Sequence, residues 1–405
     1  MSNENEELND NGATKALVKE YLPWDLAGQT EFRKYLWNLY SQNSIKIRNL
    51  TVNFGKKIVL NNIHLTIHPQ EYLVILGPTG AGKTTLLRTI AGLIKPKTGS
   101  ISLGNFDLLQ LPPEDREVAY LPQNYSLFPY LNVRDNVLFS PRVKRTKTEE
   151  EMSQLVTEIL DMVGLKDRYD AFPNELSGGM MQRCALARAI AADTKIFLLD
   201  EPLRALDARL NIQLRTEIRA LIKELGITTL HVTHDQDEAL AVADRILILK
   251  DGKISQMGKP YKIYDKPQNF FAAYFIGEST IFEGDVSEVT EECTFVTLVS
   301  GHKLLCKPSE LKIGENVKVL VKTEDISVKK STEEDEDFTD DNSFQGIISD
   351  QIFLGKFSNL LIQIKGLPHP LIARISSYDS EIYRIGYEVT VEISPHSLNP
   401  YQREN

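Results

Sequence analysis

The chain has 405 residues, too many for one compact core of ordinary size, so two or three domains are expected. Hydrophobic residues at 42% and charged residues at 25% are those of a soluble globular protein, and no apolar run reaches the ~20 residues of a membrane span. With 46 Lys and Arg against 56 Asp and Glu, the net charge of −10 disfavours nucleic acid as a partner. The acidic opening, Met1-Ser2-Asn3-Glu4-Asn5-Glu6-Glu7, is the opposite of a signal or transit peptide. Cys184, Cys293 and Cys306 show neither metal-ligand spacing nor a disulfide framework, which is consistent with a reducing cytosol.

Residues 1–44 read as an N-terminal extension. Its first dozen residues are polar and expected to be disordered. Phe32, Leu36, Leu39 and Tyr40 then fall at helical spacing, with Trp24 and Trp37 nearby. This predicts an amphipathic helix docked on its own domain, with a partner-binding helix as the alternative. From Ile45 the pattern alternates as a strand does over 45–52, turns at Phe54-Gly55-Lys56, and alternates again over 63–67. Tyr72-Leu73-Val74-Ile75-Leu76 is an unbroken apolar run, the signature of a strand buried on both faces. Short strands are predicted at 100–103 and 118–121, helices over roughly 131–191, and another buried strand at 195–199. A long amphipathic helix over 208–225 ends at Gly226, strands follow at 229–232 and 245–249, and Asp251-Gly252 marks a hairpin turn. Strands alternating with helices argue for a mostly parallel sheet. Past Gly277 short strand-like runs separated by turn residues predict an all-β domain of small-barrel type. The acidic run at 331–343 within it reads as a solvated loop between two β subdomains.

The chemistry concentrates at Gly77-Pro78-Thr79-Gly80-Ala81-Gly82-Lys83-Thr84-Thr85, between the apolar strand and a helical run that Gly92 can cap. Strand, Gly-x-x-x-x-Gly-Lys-Thr, helix is a P-loop in its required context. Glycines let backbone N–H groups turn inward around phosphate, and the helix N-terminus adds partial positive charge. Lys83 is expected to reach the terminal phosphates of a nucleoside triphosphate, and the Thr84 hydroxyl to ligate Mg²⁺. A second apolar strand ends in Asp200-Glu201. Asp200 is expected to hold Mg²⁺, and Glu201 to take a proton from the attacking water.

Leu176-Ser177-Gly178-Gly179-Met180-Met181-Gln182-Arg183 resembles the signature of the ATP-binding-cassette family, and the resemblance runs from about Ile45 to the C-terminus. It implies a P-loop ATPase core with a helical subdomain at about 124–191, within a cassette spanning 45–278. An oligomer-binding-like β domain follows over 279–400. It also implies a head-to-tail dimer, as a homodimer or with a paired subunit, in which each signature completes the partner's site. By the same resemblance Phe54 stacks on adenine, with a core phenylalanine as the alternative. Gln123 contacts Mg²⁺ and the attacking water, His234 contacts the γ-phosphate, and Ala205-Leu206-Asp207 forms the loop crossing the dimer interface. His231 reads as packed inside its strand. Met180, Met181 and Arg204 depart from the family pattern.

The stretches 111–116 and 124–133 look like the importer subset, in which this region receives a helix of the membrane subunit. Residues 260–267 and 275–277 resemble the join to the accessory β domain, and Val321-Lys322-Thr323-Glu324-Asp325 matches the usual Arg-Pro-Glu-Asp only in part. The resemblance therefore implies the ATPase subunit of a solute importer on the cytoplasmic face of the membrane. Its partners would be integral permease subunits and, indirectly, an extracytoplasmic solute-binding protein. Sugars, polyamines, ferric iron and oxyanions are the solutes of such importers, and Leu111-Pro112-Pro113-Glu114 with Pro122-Gln123-Asn124-Tyr125 inclines the reading to oxyanions. The alternatives are a soluble ATPase acting on nucleic acid or the ribosome, and an exporter subunit.

Overall fold

The structure is a computed structural model, and the residues it describes are 38, 42–145, 147–203, 208–331 and 342–403. The expected N-terminal helix, Arg204, the Ala205-Leu206-Asp207 loop and most of the acidic run lie outside the described residues. By contacts the chain divides into two units between Ile263 and Tyr264.

The first unit opens with an antiparallel ribbon, β1 (Ile45–Phe54) and β2 (Lys57–Ile67), joined by a tight turn that pairs Phe54 with Lys57. Ile45 and Ile47, then Leu50 and Val52, of β1 are buried; the alternation of a strand with one wet face shifts by one residue at an irregularity between 47 and 50, where Asn49 has φ +50. β3 (Tyr72–Leu76) follows, then the helix α1 (Lys83–Ile90), β4 (Thr98–Leu103), β5 (Phe106–Asp107) and β6 (Val118–Leu121). A helical layer comes next: α2 (Val133–Val137), α3 (Phe139–Lys144), α4 (Glu149–Met162) and α5 (Gly178–Ala191). Thr148 and Glu151 start α4 with reciprocal side-chain-to-backbone bonds, which satisfy two of the free N–H groups of its first turn. Val137, Val156, Leu160, Cys184 and Ala187 form the apolar centre of this layer.

The chain then returns to the sheet through β7 (Ile196–Asp200), α6 (Ala208–Glu224), β8 (Thr228–Val232), α7 (Gln236–Val242), β9 (Arg245–Lys250) and β10 (Lys253–Gly258). The strands form two sheets, β2-β1-β4-β5 and β10-β9-β3-β8-β7-β6. In the second, β9, β3, β8, β7 and β6 run parallel and only the edge strand β10 is antiparallel. Every residue of β3, β7 and β8 is buried, the burial that continuous apolar runs in parallel strands demand.

Arg116 is a buried charge, 4% exposed, between β5 and β6. Its Nη1 donates to the carbonyls of Thr89 (3.1 Å) and Ile90 (2.8 Å), and its Nε to that of Leu111 (3.1 Å). The guanidinium thus occupies the negative end of α1, supplying a donor to the Ile90 carbonyl and a second one to that of Thr89, which also accepts the Gly92 N–H at 3.1 Å.

The second unit begins with two short helices, α8 (Pro260–Asp265), in which the division falls, and α9 (Phe270–Phe275). Its strands are β11 (Ser279–Val289), β12 (Thr294–Leu298), β13 (Lys303–Cys306), β14 (Asn316–Lys322), β15 (Ile326–Lys330), β16 (Ser343–Phe353), β17 (Phe357–Ile364), β18 (Leu371–Ser376), β19 (Glu388–Ile393) and β20 (Asn399–Gln402). They form the antiparallel sheets β13-β12-β11-β14-β20 and β15-β19-β16-β17-β18. The unit starts before the change in sequence texture at 278/279 because residues ahead of that point are bonded into it. Tyr264 OH donates to Glu324, Lys322 Nζ donates to the Tyr264 carbonyl at 2.9 Å, and the Phe270 ring meets Tyr401.

The acidic run does not join two subdomains. It connects β15 to β16, both of which pair with β19 in one sheet. Both sheets feed a single apolar cluster, in which Phe282, Val296 and Val319 meet Phe344, Ile362 and Val391.

Arg116→Leu should lower the unfolding free energy by about 3 kcal/mol, since it strips buried carbonyls of their donor and removes a charge from the helix end. Urea unfolding followed by circular dichroism reads the change. A loss below about 1 kcal/mol would mean that water or a neighbour satisfies those carbonyls instead.

Candidate functional site

β3 delivers its C-terminal end directly into the Gly-rich loop. Gly77 is buried, while Pro78, Thr79 and Gly80 are exposed. A Cβ on Gly77 would stand 2.2 Å from the Leu249 carbonyl of β9, so a side chain there forces strand and loop apart. Gly82 caps α1 at φ +104, a conformation side chains resist, and a Cβ on it would meet Leu60 at 2.7 Å and the Val59 carbonyl at 2.9 Å. These two glycines let the loop lie against β9 and β2. Lys83 is buried, and its ammonium donates to the carbonyls of Gly77 (2.7 Å) and Pro78 (3.0 Å). Burial pushes the Lys83 ammonium below the usual lysine value, with Glu201 and Asp200 nearby pulling it back.

Thr84, the second residue of α1, donates through Oγ1 to Asp200 Oδ1 at 2.9 Å. Tyr120 OH donates to Asp200 Oδ2 at 3.2 Å, and Arg88 Nε donates to the same phenol at 3.3 Å. Burial raises the Asp200 carboxyl above its usual value, against the lowering effect of the Thr84 and Tyr120 hydrogen bonds. A hydroxyl and a carboxylate side by side are hard oxygen donors of the kind Mg²⁺ takes together with nucleotide phosphates. Among the described residues no three His, Cys, Asp or Glu side chains converge as a metal cage. A metal carried in on a triphosphate needs none.

Glu201 follows β7 with φ +51, in the left-handed region, and its N–H donates to the Val232 carbonyl at 2.8 Å. This turn swings its carboxylate away from that of Asp200. Gln123 Nε2, just after β6, donates to Glu201 Oε2 at 2.9 Å. His234 Nδ1, just after β8, stands 3.4 Å from Glu201 Oε1. The amide of Gln123 therefore faces Glu201, leaving its carbonyl oxygen as the atom available to a metal or water. Two residues from two other chain segments meet on one carboxylate.

Phe54 is 52% exposed at the turn end of β1, on the ribbon whose β2 lies under Gly82, so it is not a core residue. Ser177 is exposed and caps α5, its Oγ accepting the Met180 N–H at 3.3 Å. Leu176 is buried in the helical layer, and Gly178 and Gly179 form the first turn of α5. Met180 and Met181 pack against the apolar layer, which explains their tolerance where the family has glutamine. Gln182 is buried, and neither of its amide atoms has a hydrogen-bond partner.

Several residues at the site were not singled out by sequence reasoning. Tyr120 braces Asp200, and the fully buried Asn136 holds the loop after Gln123 by bonds to the backbone of Phe128 and Leu131. Arg188 of α5 donates to the carbonyls of Tyr125 (3.0 Å) and Ser126 (2.8 Å) in the same loop. Thr233, Asp235 and Glu238 surround His234 in sequence. Only the helix-start pattern Asp235-Gln236-Asp237-Glu238 signalled any of them.

A family profile described as ABC transporter matches residues 60–204, and one described as TOBE domain matches residues 319–399. A spermidine/putrescine import ATP-binding protein, PotA, of Marinobacter nauticus is 38% identical over 354 residues, 86% of this chain and 93% of the relative. The protein of the same name from Thermotoga maritima is 38% identical over 322 residues, 79% of this chain and 86% of the relative. Among solved structures, the dimeric post-hydrolysis state of the ATP-binding cassette MJ0796 bound to ADP and Pi superposes with a TM-score of 0.50 at 32% identity. It covers 53% of this chain and 98% of that one.

Phe54→Ala should weaken ATP binding about tenfold, the worth of one aromatic stack, while turnover at saturation stays within about twofold. Nucleotide titration beside phosphate-release kinetics separates the two. Unchanged affinity would remove Phe54 from the site.

Proposed function

The chain belongs to the ATP-binding-cassette transporter ATPases, and from that premise we propose that it is the ATP-hydrolysing subunit of a polyamine importer. In this reading it works as a head-to-tail dimer beneath separate permease subunits, at the cytoplasmic face of the membrane. The observation that carries the hydrolytic part is the meeting of Gln123 and His234 on the Glu201 carboxylate, at the ends of β6, β7 and β8, the three successive strands on one side of the strand that bears the P-loop.

The division of labour follows from the atoms. The N–H groups of 77–85 and the Lys83 ammonium bind and orient the phosphates. Thr84 Oγ1 and Asp200, with the Gln123 carbonyl oxygen, would hold Mg²⁺, which supplies charge neutralisation to the phosphates when bound. Glu201 accepts the proton of the attacking water, while Gln123 and His234 fix the carboxylate's direction. His234, 58% exposed at its side chain, is free to reach a γ-phosphate oxygen as well. Ser177 and the start of α5 offer a second set of free N–H groups, suited to the nucleotide of a partner subunit.

The polyamine assignment rests on the relatives' names and replaces the inclination to oxyanions. The Leu-Pro-Pro-Glu and Pro-Gln-Asn-Tyr stretches that suggested oxyanions are loops flanking β6 inside the cassette, and their form answers to nucleotide and permease, not to solute. The permease-facing reading is supported by exposed apolar side chains, Tyr130 at 77% in the turn before α2 and Val143 at 63% on α3.

Glu201→Gln should lower kcat by roughly 10²–10⁴-fold and leave ATP affinity within a few-fold. Turnover near wild type would exclude Glu201 as the base. On that background ATP should raise the dimer fraction in sedimentation. Ser177→Arg should cancel the rise yet leave the monomer's ATP affinity unchanged; equal loss of affinity would place the signature on its own chain's nucleotide. In vesicles with the permease and binding protein, spermidine should stimulate ATP hydrolysis and sulfate or molybdate should not. The reverse pattern would restore the oxyanion reading.

A further inference from the structure

His234 lies between two residues that are tied down, while its own ring is exposed. Thr233, 3% exposed, donates through Oγ1 to Glu238 Oε2 at 2.6 Å, and the same oxygen accepts the Asp235 N–H at 3.1 Å. The Thr233 N–H donates to the Ile75 carbonyl of β3 at 3.3 Å, one residue from the strand's end. On the other side, Asp235 Oδ1 accepts the Glu238 N–H at 2.8 Å and Oδ2 accepts from Arg215 of α6 at 2.5 Å. The segment 233–235 is therefore pinned to β3, α6 and α7 at once.

Glu238 is 4% exposed, and below it the chain buries His231 (1%) and Tyr72 (2%). Tyr72 OH lies 3.0 Å from His231 Nδ1, and His231 Nε2 lies 3.4 Å from Glu238 Oε1 without hydrogen-bond alignment. Burying a carboxylate is expensive, and an apolar side chain of similar size is commonly as stable or more so. Stability alone gives no reason for a carboxylate at this position. An apolar side chain cannot set the rotamer of Thr233.

We infer that Glu238 and Thr233 form a clamp that positions His234 against Glu201, making both positioning residues for ATP hydrolysis. The inference rests on the reading of His234 as part of the hydrolytic site. The clamp acts on the backbone: with Thr233 and Asp235 held, the Cα of His234 is fixed, and rotation about its two side-chain bonds decides whether Nδ1 meets Glu201. Losing it lets the ring wander by the ångström-scale distances that cost turnover without costing nucleotide affinity.

The test uses the full chain and steady-state ATP hydrolysis. Thr233→Val keeps shape and removes both bonds; kcat should fall about tenfold with KM for ATP within twofold. Thr233→Ser, which keeps the hydroxyl, should recover kcat to within about threefold. Thr233→Ala, smaller and easier to accommodate, should reproduce the loss if the valine variant does not fold. The deciding measurement adds His234→Ala. In that background Thr233→Val should cost nothing more, because the group it positions is gone. An equal fractional loss in both backgrounds, or no loss with His234 present, overturns the clamp. If His234→Ala alone leaves turnover intact, the hydrolytic reading of His234 fails first, and that outcome is distinct from the other two.

Discussion

Thr84 and Asp200 are 116 positions apart, and they meet at 2.9 Å because two strands end at the same height. Ile75 of β3 and Asp200 of β7 are both level with Val232 of β8, and Leu121 of β6 is level with Leu199. Everything that leaves the sheet at that height leaves into one place: the P-loop from β3, Glu201 from β7, Thr233 and His234 from β8, and Gln123 from β6. Register is the constraint on which the site depends. A one-residue slip of β7 would turn Asp200 to the other face and break its bond to Thr84. The complete burial of β3, β7 and β8 makes such a slip prohibitive, since each strand is fixed by apolar neighbours on both faces.

How much of this was legible in the sequence follows from the range of the interactions. The Gly-rich loop could be read because its constraint is local: Gly77 and Gly82 answer to β9 and β2, but their spacing to Lys83 lies within nine residues. Asp200 and Glu201 could be read as a pair at a strand end. The left-handed backbone at Glu201 could not, since a non-glycine residue at positive φ leaves no mark in composition. The acidic run was read as a boundary because charge blocks interrupt folds. The strands before and after it, β15 and β16, both pair with β19 in one sheet, a long-range contact no local pattern encodes. Arg116, Tyr120 and Asn136 were missed for a related reason. A single polar residue in an apolar neighbourhood shows its purpose only when its partner is in place.

Buried polar side chains, with the half-buried Tyr120, recur around the site in one arrangement. Arg116 holds the far end of the P-loop helix, Tyr120 holds Asp200, Asn136 holds the loop after Gln123, and Glu238 holds Thr233. None of these contacts is a cheap source of stability, because each polar or charged group must be withdrawn from water before it is rewarded. What they share is geometry. Each removes a rotational freedom next to a group whose direction matters, as a site that works by orientation and fixed dipoles requires.

The loop after Gln123 carries the clearest local tension in the first unit. Tyr125 (φ +58) and Ser126 (φ +48) are consecutive non-glycine residues in the left-handed region, at a cost on the order of 1–2 kcal/mol each. Arg188 offsets that cost with bonds to both carbonyls, and its guanidinium also covers the Phe128 ring. Arg188 belongs to α5, the helix that begins at Ser177, so the strained loop and the signature are attached to one rigid rod. Any force on the loop, such as a docked permease helix in the proposed assembly, is then resisted by the element that presents Ser177. A loop without strain would yield to that force by local bending. One already held against its own preference, by a helix roughly 20 Å long, passes the force on.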